Sequence, residues 1–214
     1  KHKIASNYGK SYYPSDYSPN AGWADYYGNE DFFKAYPNDD RKEWNYMTEW
    51  KIKSGEIIPY TESADKLPAI SKYYDYDEGA PGKSAQSNGI TCIYRYAEVL
   101  LMYAEASTRA TNSVNQDALN AIQEVQKRAG YQNRQIELTT TTEPAAFLTA
   151  VSNERGWEFF AEMKRWFELV RLEKVKEVRA EEWDASTFNT NHHYYFPVPY
   201  QQVDLAGWTN NAGY

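Results

Sequence analysis

Sixteen residues from Ile93 to Thr108 run without a Gly or a Pro and carry Tyr, Ala, Glu, Leu or Met at most positions. Such a run is rich in strong helix formers and apolar on most faces, so it predicts a buried helix, which needs neighbours to bury it. The following residues supply them. A second helix is predicted after Ser113, with Gln116 completing a capping box; Ala118, Ile122, Val125 and Ala129 then repeat at spacings of 4, 3 and 4 until Gly130 supplies a stop. Two helices joined by so short a polar turn form an antiparallel hairpin. After a Thr-rich loop at 139–142, Pro144 suits a first helical turn. Phe147, Val151, Trp157, Phe160 and Ala161 drift along one face, and a further helix from about Arg165 gathers Trp166, Leu169, Val170 and Val175. Beyond Ala180 the pattern loosens, and 197–199 with 210–213 read as an extended tail.

The first 92 residues have another character. From Tyr8 to Trp50 there are 13 aromatic residues in 43, well above the 16% of the whole chain. Gly9, Pro14, Pro19, Asn20, Gly22, Gly28 and Pro37 interrupt them at short intervals, which punctuates turns and predicts long aromatic loops. Partial alternation of Trp44, Tyr46, Trp50, Ile52, Ile57 and Ile58 with polar residues predicts one or two short strands. Residues 60–92 turn polar again. Their Gly79–Ser84 segment looks like the tail of a phosphate loop, but it lacks the motif's first Gly and a preceding strand, so nucleotide binding is not read from it. The chain therefore divides into a loop-rich region, 1–92, and a helical region, 93–214, expected to share one domain because 214 residues suffice for one sizeable core.

Charge and composition exclude several functions. A net charge of −7 is the wrong sign for a nucleic-acid partner, whose phosphates need a basic field. Cys92 is the only cysteine, so no intrachain disulfide forms, and with no His close in sequence it reads as a small core residue, not a nucleophile. No apolar run reaches the roughly 18 to 20 residues that span a bilayer as a helix. His192 and His193, adjacent on an extended segment, point to opposite faces, and Asp25, Glu30, Asp31, Asp39 and Asp40 lack the alternate spacing and closing Glu of a calcium loop. No metal and no cofactor is read from the sequence.

Beyond periodicity, the segment 94–106 resembles the RYAEVLLMYAEA signature of the SusD/RagB family of cell-surface nutrient-binding lipoproteins. Further family elements follow in order. Lys127-Arg128-Ala129-Gly130 resembles its R-x-R-A-G helix end, residues 153–159 its E-R-x-x-E-L, and residues 165–171 its R-W-x-D-L-V-R. Phe196-Pro197-Val198-Pro199 is similar to the I-P-x-P strand and residues 210–214 to the terminal Q-N-P-G-Y, while residues 36–41 and 70–73 match the upstream D-P-R and K-Y elements. Met163, Glu168 and Ala212 depart from the family's Gly, Asp and Pro. The resemblance implies a mainly α, tetratricopeptide-related scaffold with long aromatic loops and a few short strands. It also implies the C-terminal part of a longer lipoprotein on the extracellular face of the outer membrane, whose lipid anchor and N-terminal half lie outside this chain. It implies capture of glycan oligomers and their delivery to a SusC-like TonB-dependent transporter, by binding and not bond cleavage; peptide import is the alternative that the same architecture allows.

Two sets of residues carry the site expectations. Arg95, Glu98, Glu154, Arg155, Arg165 and Arg171 belong to the matched motifs beside bulky apolar neighbours, where charges pair to fix helix packing. A sharper alternative is a glycosidase pair, since Glu154 and Glu158 share a helix face and such chemistry needs carboxylates about 5 to 9 Å apart. The ligand-binding candidates are Tyr12, Tyr13, Trp23, Tyr26, Tyr27 and Asn29. Sugars offer flat C–H faces for aromatic rings and hydroxyls for amides, and large rings equally serve to anchor irregular loops.

Overall fold

Side-chain caps start short helices inside the aromatic region. The computed structural model describes residues 8–18, 21–73, 92–178 and 193–214, so the Gly79–Ser84 segment and His192 lie outside the described residues. After α1 (Tyr8–Tyr12), α2 (Glu30–Ala35) begins where the Asn29 side chain accepts a hydrogen bond from the Phe32 amide at 2.9 Å. The Asp39 carboxylate likewise accepts from the Arg41 amide at 2.9 Å and starts α3 (Asp40–Asn45). This cap places Trp44 on a helix and not in the strand pattern read from its neighbours. Two short antiparallel pairs follow: β1 (Tyr46–Met47) with β4 (Ala69–Ile70), and β2 (Glu49–Lys51) with β3 (Ile57–Pro59). Trp50 lies opposite Ile58 on the buried face of the second pair.

The main apolar core is helical. It is formed by α4 (Tyr96–Thr111), α5 (Gln116–Arg128) and α6 (Pro144–Glu158), which interlock through Leu101, Ala104, Ile122, Val125, Phe147 and Val151. The α5 cap is Asn115, whose side chain accepts from the Ala118 amide at 2.8 Å, and not Ser113, whose hydroxyl is spent on Thr111. Pro144 takes the first turn of α6, and the Glu143 carboxylate accepts from the Ala146 amide at 2.7 Å. The expectation of an all-round buried α4 is corrected: Tyr96, Val99, Met102 and Tyr103 are exposed, because the face that packs inward carries Glu98, Leu101, Ala104, Glu105 and Thr108. Cys92 is exposed as well, outside the core expected to hold it.

Two compact units result, Lys1–Glu162 and Met163–Tyr214. The first joins the aromatic region to α4–α6, so the division falls after α6 and not at the change of composition near residue 92. The second contains α7 (Arg165–Arg171), α8 (Val175–Val178) and α9 (Tyr200–Ala206), with a small core of Leu169, Val175 and Tyr194 on which Trp166 and Val170 pack. The helix α9 lies between the two stretches read as extended tail; Pro199 precedes it and Gly207, at φ 67°, closes it in the left-handed conformation.

Gly130 fixes where α5 meets α3. It has φ 85°, and a Cβ there would come within 2.2 Å of the Asp40 carboxylate, while the Asp40 amide donates to the Ala129 carbonyl at 3.1 Å. Gly130→Ala is therefore expected to lower the unfolding free energy by about 1–3 kcal/mol, read by urea denaturation.

Candidate functional site

The two acidic residues weighed as a catalytic pair lie at the centre of a buried ion cluster. The α6 helix brings Glu154 and Glu158 to one face, and the α3 cap turns Arg41 toward them. One nitrogen of Arg41, Nη1, donates to Glu154 at 2.7 Å and to Glu158 at 2.8 Å, while its Nη2 and Nε bond Asp39 at 2.6 and 3.1 Å. Glu158 also accepts from Arg95 and Arg128. Arg95 continues to Glu162 at 2.9 Å, and Lys72 bonds the same carboxylate at 2.6 Å. Phe159 carries Arg95 above its ring at 4.6 Å. Four carboxylates thus meet four cations drawn from five separate segments.

Burial pushes Glu154 up, against the pull of Arg41 and the hydrogen bonds from Tyr131 and Gln126. Burial would raise Glu158 too, but Arg95, Arg128 and Arg41 outweigh it and hold this carboxyl below its usual range. Burial lowers Lys72, with Glu162 opposing. Both carboxylates are inaccessible and committed to cations, the arrangement of a structural ion cluster and not of an acid and a nucleophile across an open cleft. The other motif charges extend the same pattern locally: Arg155 approaches Glu98 at 3.6 Å, Arg165 pairs with Glu168 at 3.3 Å, and Arg171 is exposed in the last turn of α7.

The ligand candidates separate by burial. Tyr12 and Tyr13 are only 4% and 3% exposed; Tyr12 packs between Tyr26 and Tyr73, and Tyr13 stacks on Tyr17 at 5.4 Å. Asn29 is exposed, but its side-chain oxygen serves as the α2 cap. Tyr27 is half-buried, and burial together with the Asp65 carboxylate pushes its phenol up. Trp23 and Tyr26 stand out, 47% and 53% exposed on the loop between α1 and α2. The later aromatics of the region mostly pack: Tyr36 and Tyr46 meet Phe160 and each other edge-on or tilted, with Tyr46 and Phe160 centroids 4.5 Å apart, and Phe33 meets Tyr46 edge-on.

In the sequence Asp25 reads only as a metal ligand and Tyr73 only as part of a motif, yet the structure leaves Asp25 exposed between Trp23 and Tyr26 along the chain and stacks Tyr73 on Tyr12, which meets Tyr26. The flanking aromatics are the signal that points to Asp25; none in the sequence points to Tyr73. Among the described residues no group of three or more His, Cys, Asp and Glu is placed to hold a metal ion, and no helix is long and apolar enough to cross a membrane.

Comparison with known proteins gives one consistent result. A model of the SusD family matches residues 3–214. The SusD-like protein P2 of Formosa agariphila is 28% identical over 200 residues, which cover 85% of this chain and 39% of that protein. Among solved structures, a SusD superfamily protein from Parabacteroides distasonis superposes with a TM-score of 0.78 at 22% identity, covering 99% of this chain and 48% of the other. Surface glycan-binding protein A from Bacteroides uniformis gives a TM-score of 0.70 at 24% identity, covering 98% and 47%. The chain thus spans less than half the length of each of these three proteins, and the structural likenesses show the fold.

The ion cluster predicts a stability signature. Glu158→Gln leaves three arginines without their shared carboxylate and is expected to lower the unfolding free energy by about 3 kcal/mol at neutral pH. Because the folded pKa of Glu158 lies below the unfolded value of about 4.3, its contribution is full above that value and is lost as pH falls through the folded one. Urea titrations from neutral to acid pH should therefore show a shallower acid loss in Glu158→Gln than in the parent. Glu154, raised by burial, has the opposite slope and shares Arg41 with Glu158, so Glu154→Gln titrated alongside separates its part.

Proposed function

This chain belongs to the SusD family, and on that premise we propose that it captures glycan oligomers at the cell surface for delivery to a SusC-like TonB-dependent transporter. The observation that carries the reading is the exposure of Trp23 and Tyr26 on one loop, in a region whose other described rings, Trp44 apart, are buried or half-buried. Exposed Trp and Tyr offer an apolar face with a polar edge, the combination that suits the C–H faces and hydroxyls of a sugar. That the fold is shared with a surface glycan-binding protein supports the same reading. Family membership further supports a position on the extracellular face of the outer membrane, held by a lipid anchor outside these residues. The mechanism is binding: Glu154 and Glu158, the only acid pair weighed for hydrolysis, serve as structural counter-ions. Of the six candidates, Trp23 and Tyr26 would contact ligand, Tyr27 would border them, and Tyr12, Tyr13 and Asn29 would hold the loop.

Isothermal titration against a panel of oligosaccharides tests the reading. At least one glycan is expected to bind, and Trp23→Ala and Tyr26→Ala are each expected to weaken it about tenfold or more. Binding of peptides with no glycan would replace the reading by oligopeptide import, and a glycan bound equally by both variants would move the site elsewhere.

A further inference from the structure

The loop that carries Trp23 and Tyr26 is held at each amide from Gly22 to Tyr26. The amides of residues 22 to 26 donate in turn to the carbonyls of Pro14, Lys10, Tyr13, Ser11 and Ser11, at 2.8, 2.8, 3.1, 2.9 and 3.3 Å. Gly22 allows this close approach, since a Cβ there would lie 1.8 Å from the Tyr13 carbonyl oxygen. Ala24 sits between the exposed residues at φ 56°, a left-handed conformation that costs an alanine energy and persists only where the surroundings impose it. The Tyr26 ring rests on Tyr12 at 5.5 Å, Tyr12 stacks on Tyr73 at 5.5 Å and 14°, and the Tyr73 hydroxyl donates to the Ala161 carbonyl at 3.0 Å, next to the ion cluster. A surface loop with its amides bonded and its Tyr26 ring backed by Tyr12 binds with little ordering left to do.

Acidic side chains adjoin this loop. Asp25 is exposed between them, and Asp16 and Asp65 both act on the adjoining Tyr27. Asp16 is itself fixed by the Trp50 indole at 2.7 Å. Lys10 is the cation whose backbone meets the loop.

Resting on the glycan reading above, we propose that residues 22–26 form a preformed aromatic platform for an uncharged oligosaccharide, with Tyr12 and Tyr73 as positioning residues beneath it. Asp25 accepts hydrogen bonds from sugar hydroxyls and repels uronate or sulfate groups.

The test is an array of immobilised oligosaccharides, half uncharged and half carrying uronate or sulfate, probed with the protein and followed by titration of the best-bound compound. Hits are expected among the uncharged compounds, with affinity nearly independent of salt. Asp25→Asn, at an exposed position, is expected to raise the binding of acidic analogues about tenfold or more. Tyr73→Leu and Tyr12→Leu are expected to weaken the uncharged ligand about fivefold or more, while Tyr73→Phe and Tyr12→Phe, which keep the stack, stay within about twofold. Loss of binding in the Phe variants as well would assign both residues to folding alone and overturn the positioning claim. Hits confined to acidic glycans would overturn the ligand class, and an array without hits would overturn the glycan reading itself. If Trp23→Ala weakens binding but Tyr12→Leu and Tyr73→Leu do not, the platform claim fails while the glycan reading stands.

Discussion

Arg41 bonds Asp39, Glu154 and Glu158 at once, and the first compact unit is assembled around that contact. A guanidinium suits the place because its donors form a rigid fork that can serve several carboxylates without losing its charge. The partners come from distant stretches of chain: the α3 cap, the α6 face, Arg95 before α4, Arg128 at the end of α5, and Lys72 after β4. Burying so many charges is costly, and the cluster persists because its anions and cations balance and each carboxylate oxygen finds a donor. Such a cluster contributes specificity of arrangement more than net stability: removing one member strands the others.

The same cluster explains why the family-like motifs recur as separate short elements. Arg41 ends the D-P-R-like element, Lys72 belongs to the K-Y, Arg95 opens the long helical signature, Arg128 precedes Gly130, and Glu154 and Glu158 flank the turn of α6 that carries Arg155. In the sequence they are charges beside bulky apolar residues. In the fold most of them are contacts of one network, with Gly130 shaped to let Asp40 close over the α5 end.

The helical half was legible because Ala118, Ile122, Val125, Phe147 and Val151 repeat at helical spacing and meet in the core. What periodicity could not supply was which face of α4 is buried, since Tyr96, Val99 and Met102 are as apolar as Leu101, and the choice is made by the partners of Glu98 and by α5 and α6. Caps were read one motif too early at Ser113 because a hydroxyl and an amide offer the same chemistry, and the local backbone decides between them. Helix α9 was missed because an isolated turn between Pro199 and Gly207 has too few residues for a pattern. In the candidate site, composition located the aromatic loop, but a Tyr that supports and a Tyr that is displayed are identical in sequence. Only the fold leaves Tyr26 exposed and Tyr12 buried against it.

An ordered ion cluster below and an exposed aromatic pair above are joined by the Tyr26, Tyr12 and Tyr73 rings and the Ala161 carbonyl. On the proposal made above, this frame presents Trp23 and Tyr26 to ligand without rearrangement. A crystal structure of the protein with a bound oligosaccharide tests it most directly. Sugar rings are expected to lie against Trp23 and Tyr26, with the backbone of residues 22–26 displaced by less than about 1 Å from its position here. A ligand seated elsewhere with both rings bare, or a loop refolded around the sugar, would contradict it.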